Sequence, residues 1–168
     1  TLTQNRMALT ESYTEVEEKE FLQLAVYACE PDESDPMDKA VHDKAREVMG
    51  ELPPYTPLHE YPFTRKTMIM GHVTDSGIVA AKGSPEGILP LCSMSEEKRK
   101  DIESRIDAMA KKGLRVLALA ICRSDEIHDE LQDYTFAFVG LLGFSDPPRE
   151  GVREAIGECR RAGVRVVM

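Results

Sequence analysis

Between residues 18 and 29 the apolar positions Phe21, Leu24, Ala25 and Ala28 recur at helical spacing, which predicts an amphipathic helix with one buried stripe. The run PDESDP ends it. Asp35 then reads as an N-cap, Pro36 takes the first helical position, and Asp38 falls at the third, where a carboxylate can satisfy backbone N–H groups. Met37, Val41, Ala45 and Val48 form the inward stripe of this second helix. The proline-rich segment 51–62 predicts an extended connector. Residues 66–73 and 77–82 flank Thr-Asp-Ser-Gly and predict a β-hairpin. Ser84-Pro85-Glu86 starts a short helix, and Ser95 starts a longer one with Ile102, Ile106 and Met109 inward, closed by Lys111, Lys112 and Gly113. Apolar runs predict strands over 114–121 and 134–144. A helix over 149–162 ends at Gly163, and VRVVM begins a last strand.

No apolar run approaches the ~20 residues that cross a bilayer, and no basic-then-apolar leader opens the chain, so the fragment is expected to be soluble. Thirty acidic residues against twenty-one basic give a net charge of −9, which disfavours nucleic acid as a partner. An anion site must therefore be built from a few well-placed cations. The cysteines Cys29, Cys92, Cys122 and Cys159 lie in apolar contexts without a CxxC, and the histidines are scattered. Reduced buried thiols and no metal site are expected.

The chain carries no GxxxxGK[ST], GxGxxG, HExxH or GxSxG pattern. What remains is a set of charged and aromatic residues that interrupt apolar or structural contexts. Lys82 ends the apolar strand GIVAA at a strand-to-helix corner, with Gly83 beside it; it either holds an anion or reaches to water. Arg115 opens the run RVLALAI, with Leu117 and Leu119 on its face, and a guanidinium there calls for a carboxylate or phosphate unless it reaches solvent. Phe63, next to Arg65 and Lys66, presents an aromatic face beside two cations, which suits a purine carrying phosphates; the alternative is a core phenylalanine.

Five segments, in order, resemble the signature blocks of P-type cation-transporting ATPases. TLTQNRM resembles the tail of their Asp-Lys-Thr-Gly-Thr-Leu-Thr phosphorylation signature, SDPMDKA their acidic motif near the adenine pocket, and KGSPE their Lys-Gly-Ala-Pro-Glu motif. GLRVLALA and DPPREGVREAIGECRRAGVRVVM are similar to later blocks. The resemblance implies an α/β (α+β) fold, an antiparallel sheet flanked by helices, with a nucleotide-binding domain over 9–143, a stub of the phosphorylation domain and hinge over 1–8, and a returning hinge with a second stub over 144–168. It implies that Phe63 stacks on adenine, that Asp38 approaches its amino group, and that Arg65, Lys82 and Arg115 hold the phosphate end. Gly83 allows close approach, and Met70 and Leu117 complete the nucleotide-binding set. Asp146 and Arg149 fall in the returning hinge.

The family pattern is not matched throughout. Taking Met70 as the motif methionine puts Phe63 and Arg65 in register and Met68 where a lysine is common; taking Met68 instead brings forward Lys66, and Tyr61 competes with Phe63 for the stacking role. Ser84 replaces the usual alanine, and Asp38 is commonly glutamate. By resemblance the phosphorylated Asp precedes Thr1 and the Thr-Gly-Asp that helps hold magnesium follows Met168, so no catalytic residue is expected within the chain. The cofactors implied are ATP and Mg2+, the latter held mainly from outside. The implied partners are the phosphorylation and actuator domains and transmembrane helices of the same pump, with this domain on the cytoplasmic side and the blocks resembling calcium and proton pumps. A haloacid-dehalogenase-like phosphatase fragment, or a regulatory interaction domain without nucleotide binding, is the alternative.

Overall fold

The computed structural model describes residues 2–4, 6–52 and 54–167. The TLTQNRM match includes Thr1 and Asn5, the proline-rich connector includes Pro53 and the last expected strand includes Met168, all outside the described residues. The elements follow in the order β1 (Ala8–Thr14), α1 (Glu18–Tyr27), α2 (Pro36–Met49), β2 (Pro57–Tyr61), β3 (Ile69–Thr74), β4 (Ile78–Gly83), α3 (Pro85–Ile88), α4 (Glu96–Lys111), β5 (Arg115–Arg123), β6 (Ala137–Ser145) and α5 (Val152–Arg161).

The strands form one antiparallel sheet of six in the order β1-β6-β5-β4-β3-β2. Period-two alternation sends neighbouring side chains to opposite faces, and both faces are covered. On β4, Val79 and Ala81 join a core with Ile88, Ile102 and Met109 from α3 and α4, while Ala80 joins one with Phe21, Ala25 and Val41 from α1 and α2. The expected antiparallel sheet flanked by helices is therefore the fold.

The helix starts follow local capping chemistry. Asp35 accepts from the Met37 and Asp38 N–H groups at 2.8 and 3.2 Å, Ser84 from Gly87 N at 3.2 Å, and Ser95 from Lys98 N at 3.2 Å. Three expectations shift. The connector is extended, but its residues 57–61 become the edge strand β2 paired to β3, a position where a proline costs no central ladder bond. The hairpin begins at Ile69 because Thr64–Met68 closes as a turn, with Met68 N donating to Thr64 O at 2.8 Å and Met68 at φ 56°. Residues 164–167 form no strand, because no neighbouring strand offers them a ladder among the described residues.

The N-terminal and returning segments run alongside each other. Gln4 N donates to Pro147 O at 2.9 Å, Arg149 N to Leu2 O at 3.0 Å, and Arg149 Nε to Thr3 O at 2.8 Å. Arg6 N donates to Asp146 Oδ1 at 3.2 Å. Beyond them, α5 buries none of its residues. Among the described residues no helix is long and apolar enough to cross a membrane.

Candidate functional site

Because the sheet is antiparallel, the start of β3, the end of β4 and the start of β5 lie at the same end. Register then fixes which side chains meet there. Met70 pairs with Lys82, Lys82 pairs with Leu119, and Leu117 and Arg115 follow Leu119 on the same face at period two. This is the face of Ala80, covered by α1 and α2, so Lys82 rises into the layer where the first turn of α2 stands. A cleft of about 480 Å³ opens there.

Asp38, Lys82, Gly83 and Arg115 line the cleft together with the apolar Met70 and Leu117. Phe63 and Met68, carried on the turn between β2 and β3, complete its wall, and Phe63 is 57% exposed. Arg65 and Lys66 are exposed and do not line it. Tyr61 is turned to the opposite core, where its hydroxyl meets His128 O at 2.6 Å and the Tyr134 hydroxyl at 2.9 Å. Of the two aromatic candidates, the cleft contains Phe63.

Lys82 and Asp38 form an ion pair with side chains only 4% and 2% exposed. The second carboxylate oxygen of Asp38 accepts from Glu30 N at 2.7 Å. Both oxygens are thus engaged within the protein, and Lys82 is a neutralised cation rather than a free one. Burial alone would lower the Lys82 pKa, but the adjacent Cys29 and Asp38 outweigh it and the net direction is upward. Burial pushes the Cys29 thiol up to about 12, so at neutral pH it is uncharged and Asp38 carries the compensating charge. Cys29 donates to Ala25 O at 3.1 Å, and all four cysteines are free thiols.

Arg115 is different. It is exposed at the β5 start and, among the described residues, makes no ion pair. It is the cation of the cleft wall with charge to offer a ligand. Glycine at position 83 has a reason inside the fold: a Cβ there would stand 2.3 Å from Met68 O and 2.7 Å from Ile69 Cα. The absent side chain is required by β3 whether or not a ligand approaches.

Glu30 and Asp35 also line the cleft and were missed in the sequence, as was the coupling between Asp38 and Lys82. Asp35 is accounted for as the cap of α2. Glu30 carries no local signal, since it enters the cleft wall only because its backbone N–H is held by Asp38.

Residues 34–151 match the family model of the P-type ATPase cytoplasmic domain N. The chain is 33% identical over 144 residues to a probable cation-transporting P-type ATPase of Mycoplasma genitalium, covering 80% of this chain and 16% of that protein. It is 30% identical over 145 residues to calcium-transporting ATPase 1 of Bacillus cereus, covering 79% and 16%. To a sodium/potassium exporting P-type ATPase of Schizosaccharomyces pombe it is 36% identical over 127 residues, covering 66% and 12%. The chain spans only 10% to 20% of the length of such relatives. With most of its length matched and the sheet and helices just described, the chain belongs to the P-type ATPase family, as its cytoplasmic N domain.

Proposed function

We propose that the cleft binds ATP and that the domain presents the γ-phosphate to a phosphorylatable aspartate of a neighbouring domain in an ATP-driven cation pump. The relatives named for cation, calcium or sodium/potassium transport support the pump; the observation that carries nucleotide binding is that Phe63, Lys82 and Arg115, far apart in sequence, line one cleft. Phe63 offers its exposed face to adenine, and Met70 and Leu117 supply apolar walls. Arg115 takes the phosphate end, with Lys82 contributing N–H donors rather than net charge. Asp38 acts on the nucleotide mainly by holding Lys82 and the Glu30 backbone in place. Arg65 lies outside the cleft wall and acts from its mouth.

The family also implies magnesium. Of the three carboxylates at the cleft, Asp35 and Asp38 are already committed, which leaves Glu30 alone, and Arg115 suits phosphate, so these residues fit the nucleotide rather than the ion. Mg2+ would arrive with the phosphates and neutralise part of their charge, with its protein ligands on another domain. The boundaries 9–143 for the binding domain, and the paired segments 1–8 and 144–168 as hinge and stubs, follow from the same reading. Hydrogen bonds between Gln4 and Pro147 and between Thr3 and Arg149 support it, because they tie the two crossings into one ribbon.

Calorimetric titration with ATP tests the proposal; the chain has no Trp to report binding by fluorescence. Phe63→Ala and Arg115→Ala are the informative variants because both residues are exposed and neither supports the core. Stacking on a base is worth roughly 1–3 kcal/mol and a charge-assisted hydrogen bond roughly 1.5–3, so each variant is expected to weaken ATP about tenfold or more. AMP should lose affinity with Phe63→Ala and little with Arg115→Ala. Unchanged ATP affinity in both variants refutes the site, and no binding to the parent chain favours the interaction-domain alternative.

A further inference from the structure

We propose that Glu30, Glu60 and His72 form a binding site for a divalent transition-metal ion, with Zn2+ the preferred occupant. His72 lies in the middle of β3 and is fully buried. Its Nδ1 is 3.0 Å from the carbonyl oxygen of Tyr27 at the end of α1. A carbonyl only accepts, so Nδ1 carries the proton and the lone pair sits on Nε2. That atom is buried and, among the described residues, has no hydrogen-bond partner. Burial without a partner penalises such an atom, which points to a ligand that meets it.

Two carboxylates stand at the same place. The β2–β3 register sets Glu60 directly opposite His72, and Glu30 follows α1, the helix whose last residue orients the imidazole. One donor atom from each of the three residues lies within 4.8 Å of the others. A tetrahedral ion with bonds of about 2.0–2.2 Å needs its donors roughly 3.3–3.6 Å apart. The half-buried Glu30 and the exposed Glu60 can close that gap by side-chain rotation, while the buried imidazole stays fixed by Tyr27.

The donor set selects the ion. Mg2+ and Ca2+ take oxygen ligands, and Mg2+ keeps much of its water, whereas an imidazole with two carboxylates suits Zn2+ and leaves a fourth position for water. The Nδ1–H to carbonyl bond is the outer-shell contact by which proteins fix the tautomer of a ligating histidine. An ion there ties the α1–α2 loop to the paired strands β2 and β3, beside the contact between Tyr27 and His72. The assignment stands independently of ATP binding, although Glu30 also lines the cleft.

The test uses the whole chain, stripped with a chelator and titrated calorimetrically with ZnCl2 and, separately, MgCl2. One Zn2+ per chain is expected, with Mg2+ at least a hundredfold weaker. Replacing the buried His72 endangers the sheet itself, so the exposed Glu60 carries the test: Glu60→Gln should keep the metal-free Tm of the parent and lose Zn2+ affinity tenfold or more. Glu30→Gln should do the same. Co2+ should bind with visible d–d absorption and no thiolate-to-cobalt charge-transfer band. The proposal is overturned if the parent takes up no Zn2+, which would mean that water meets Nε2. It is equally overturned if both glutamine variants bind Zn2+ as tightly as the parent, or if the cobalt spectrum shows a thiolate ligand.

Discussion

The buried pair between Lys82 and Asp38 makes a prediction whose size follows from burial. With both side chains under 5% exposed, neither charge is screened by water. Each ion lost several kcal/mol of hydration on burial, and the partner's charge, together with the Glu30 N–H on Asp38, restores it. The intact pair is thus close to neutral in its net effect. Removing one member is not. Lys82→Met leaves a buried carboxylate with one N–H for company and should cost about 3–5 kcal/mol. Asp38→Asn keeps an acceptor for Glu30 N but strands the ammonium, at a similar cost. The double variant carries no buried charge and should lie within about 1–2 kcal/mol of the parent. Urea unfolding followed by circular dichroism measures this. At an m-value near 2 kcal/mol/M, a 4 kcal/mol loss moves the midpoint by about 2 M. A double-mutant cycle in which the two losses simply add, or a Lys82→Met cost below about 1 kcal/mol, would refute the pairing argument.

Two further predictions concern the frame of the cleft. Gly83→Ala drives a methyl group into the backbone at Met68 and Ile69, forcing β3 and β4 apart, and should cost about 1–3 kcal/mol in the same urea assay; a change below about 0.5 kcal/mol would show that the strands separate freely. His42, buried on α2, has its pKa lowered, first by burial, which outweighs Glu33 and Asp38, with Arg46 acting in the same direction as burial. The unfolded chain then binds the extra proton more readily, so the stability due to this group is complete above about pH 6.5 and is lost as pH falls through its lower folded value. Tm should decline between pH 7 and 5.5, and His42→Gln, which can still donate to Asp38 O, should flatten that decline; an identical pH profile would refute the assignment.

What could be read along the chain was whatever chemistry is local. Asp35-Pro36, Ser84-Pro85 and Ser95 each mark a helix start with a side-chain cap, and each cap is made between residues two or three apart. Strand β2 was hidden inside a proline-rich connector because an edge strand is defined by its neighbour, and β3 lies beyond an intervening turn. The last expected strand fails for the same reason from the other side: a Val-rich run pairs only when another strand is adjacent.

The site divides along the same line. Phe63, Lys82 and Arg115 were legible because each interrupts an apolar or structural context. Their meaning was not, since it depends on contacts across the fold. Lys82 and Asp38 are 44 positions apart, and nothing along the chain says that they cancel each other. Gly83 reads as room for a ligand until the backbone of Met68 is found beneath it. His72, placed mid-strand in IMGHVT, does carry a signal, because a histidine at the centre of a buried strand needs two polar partners. Only the β2–β3 register and the end of α1 reveal which groups stand near it.

These corrections change the electrostatics of the cleft. Counting formal charges, its wall carries Glu30, Asp35 and Asp38 against Lys82 and Arg115, on a chain of net charge −9. Lys82 and Asp38 cancel, and Asp35 is spread over two N–H groups of α2, which leaves Arg115 facing the field of Glu30. A polyphosphate therefore meets one uncompensated cation in an acidic surround. Such a cleft grips weakly through charge and must draw much of its affinity from the apolar walls and Phe63, which do not depend on salt. On the proposed function, that division suits a carrier of phosphoryl groups better than a tight binding site: the base would be held by contacts that persist while the phosphates move, and the phosphate end would be left free for a domain with more positive charge to offer.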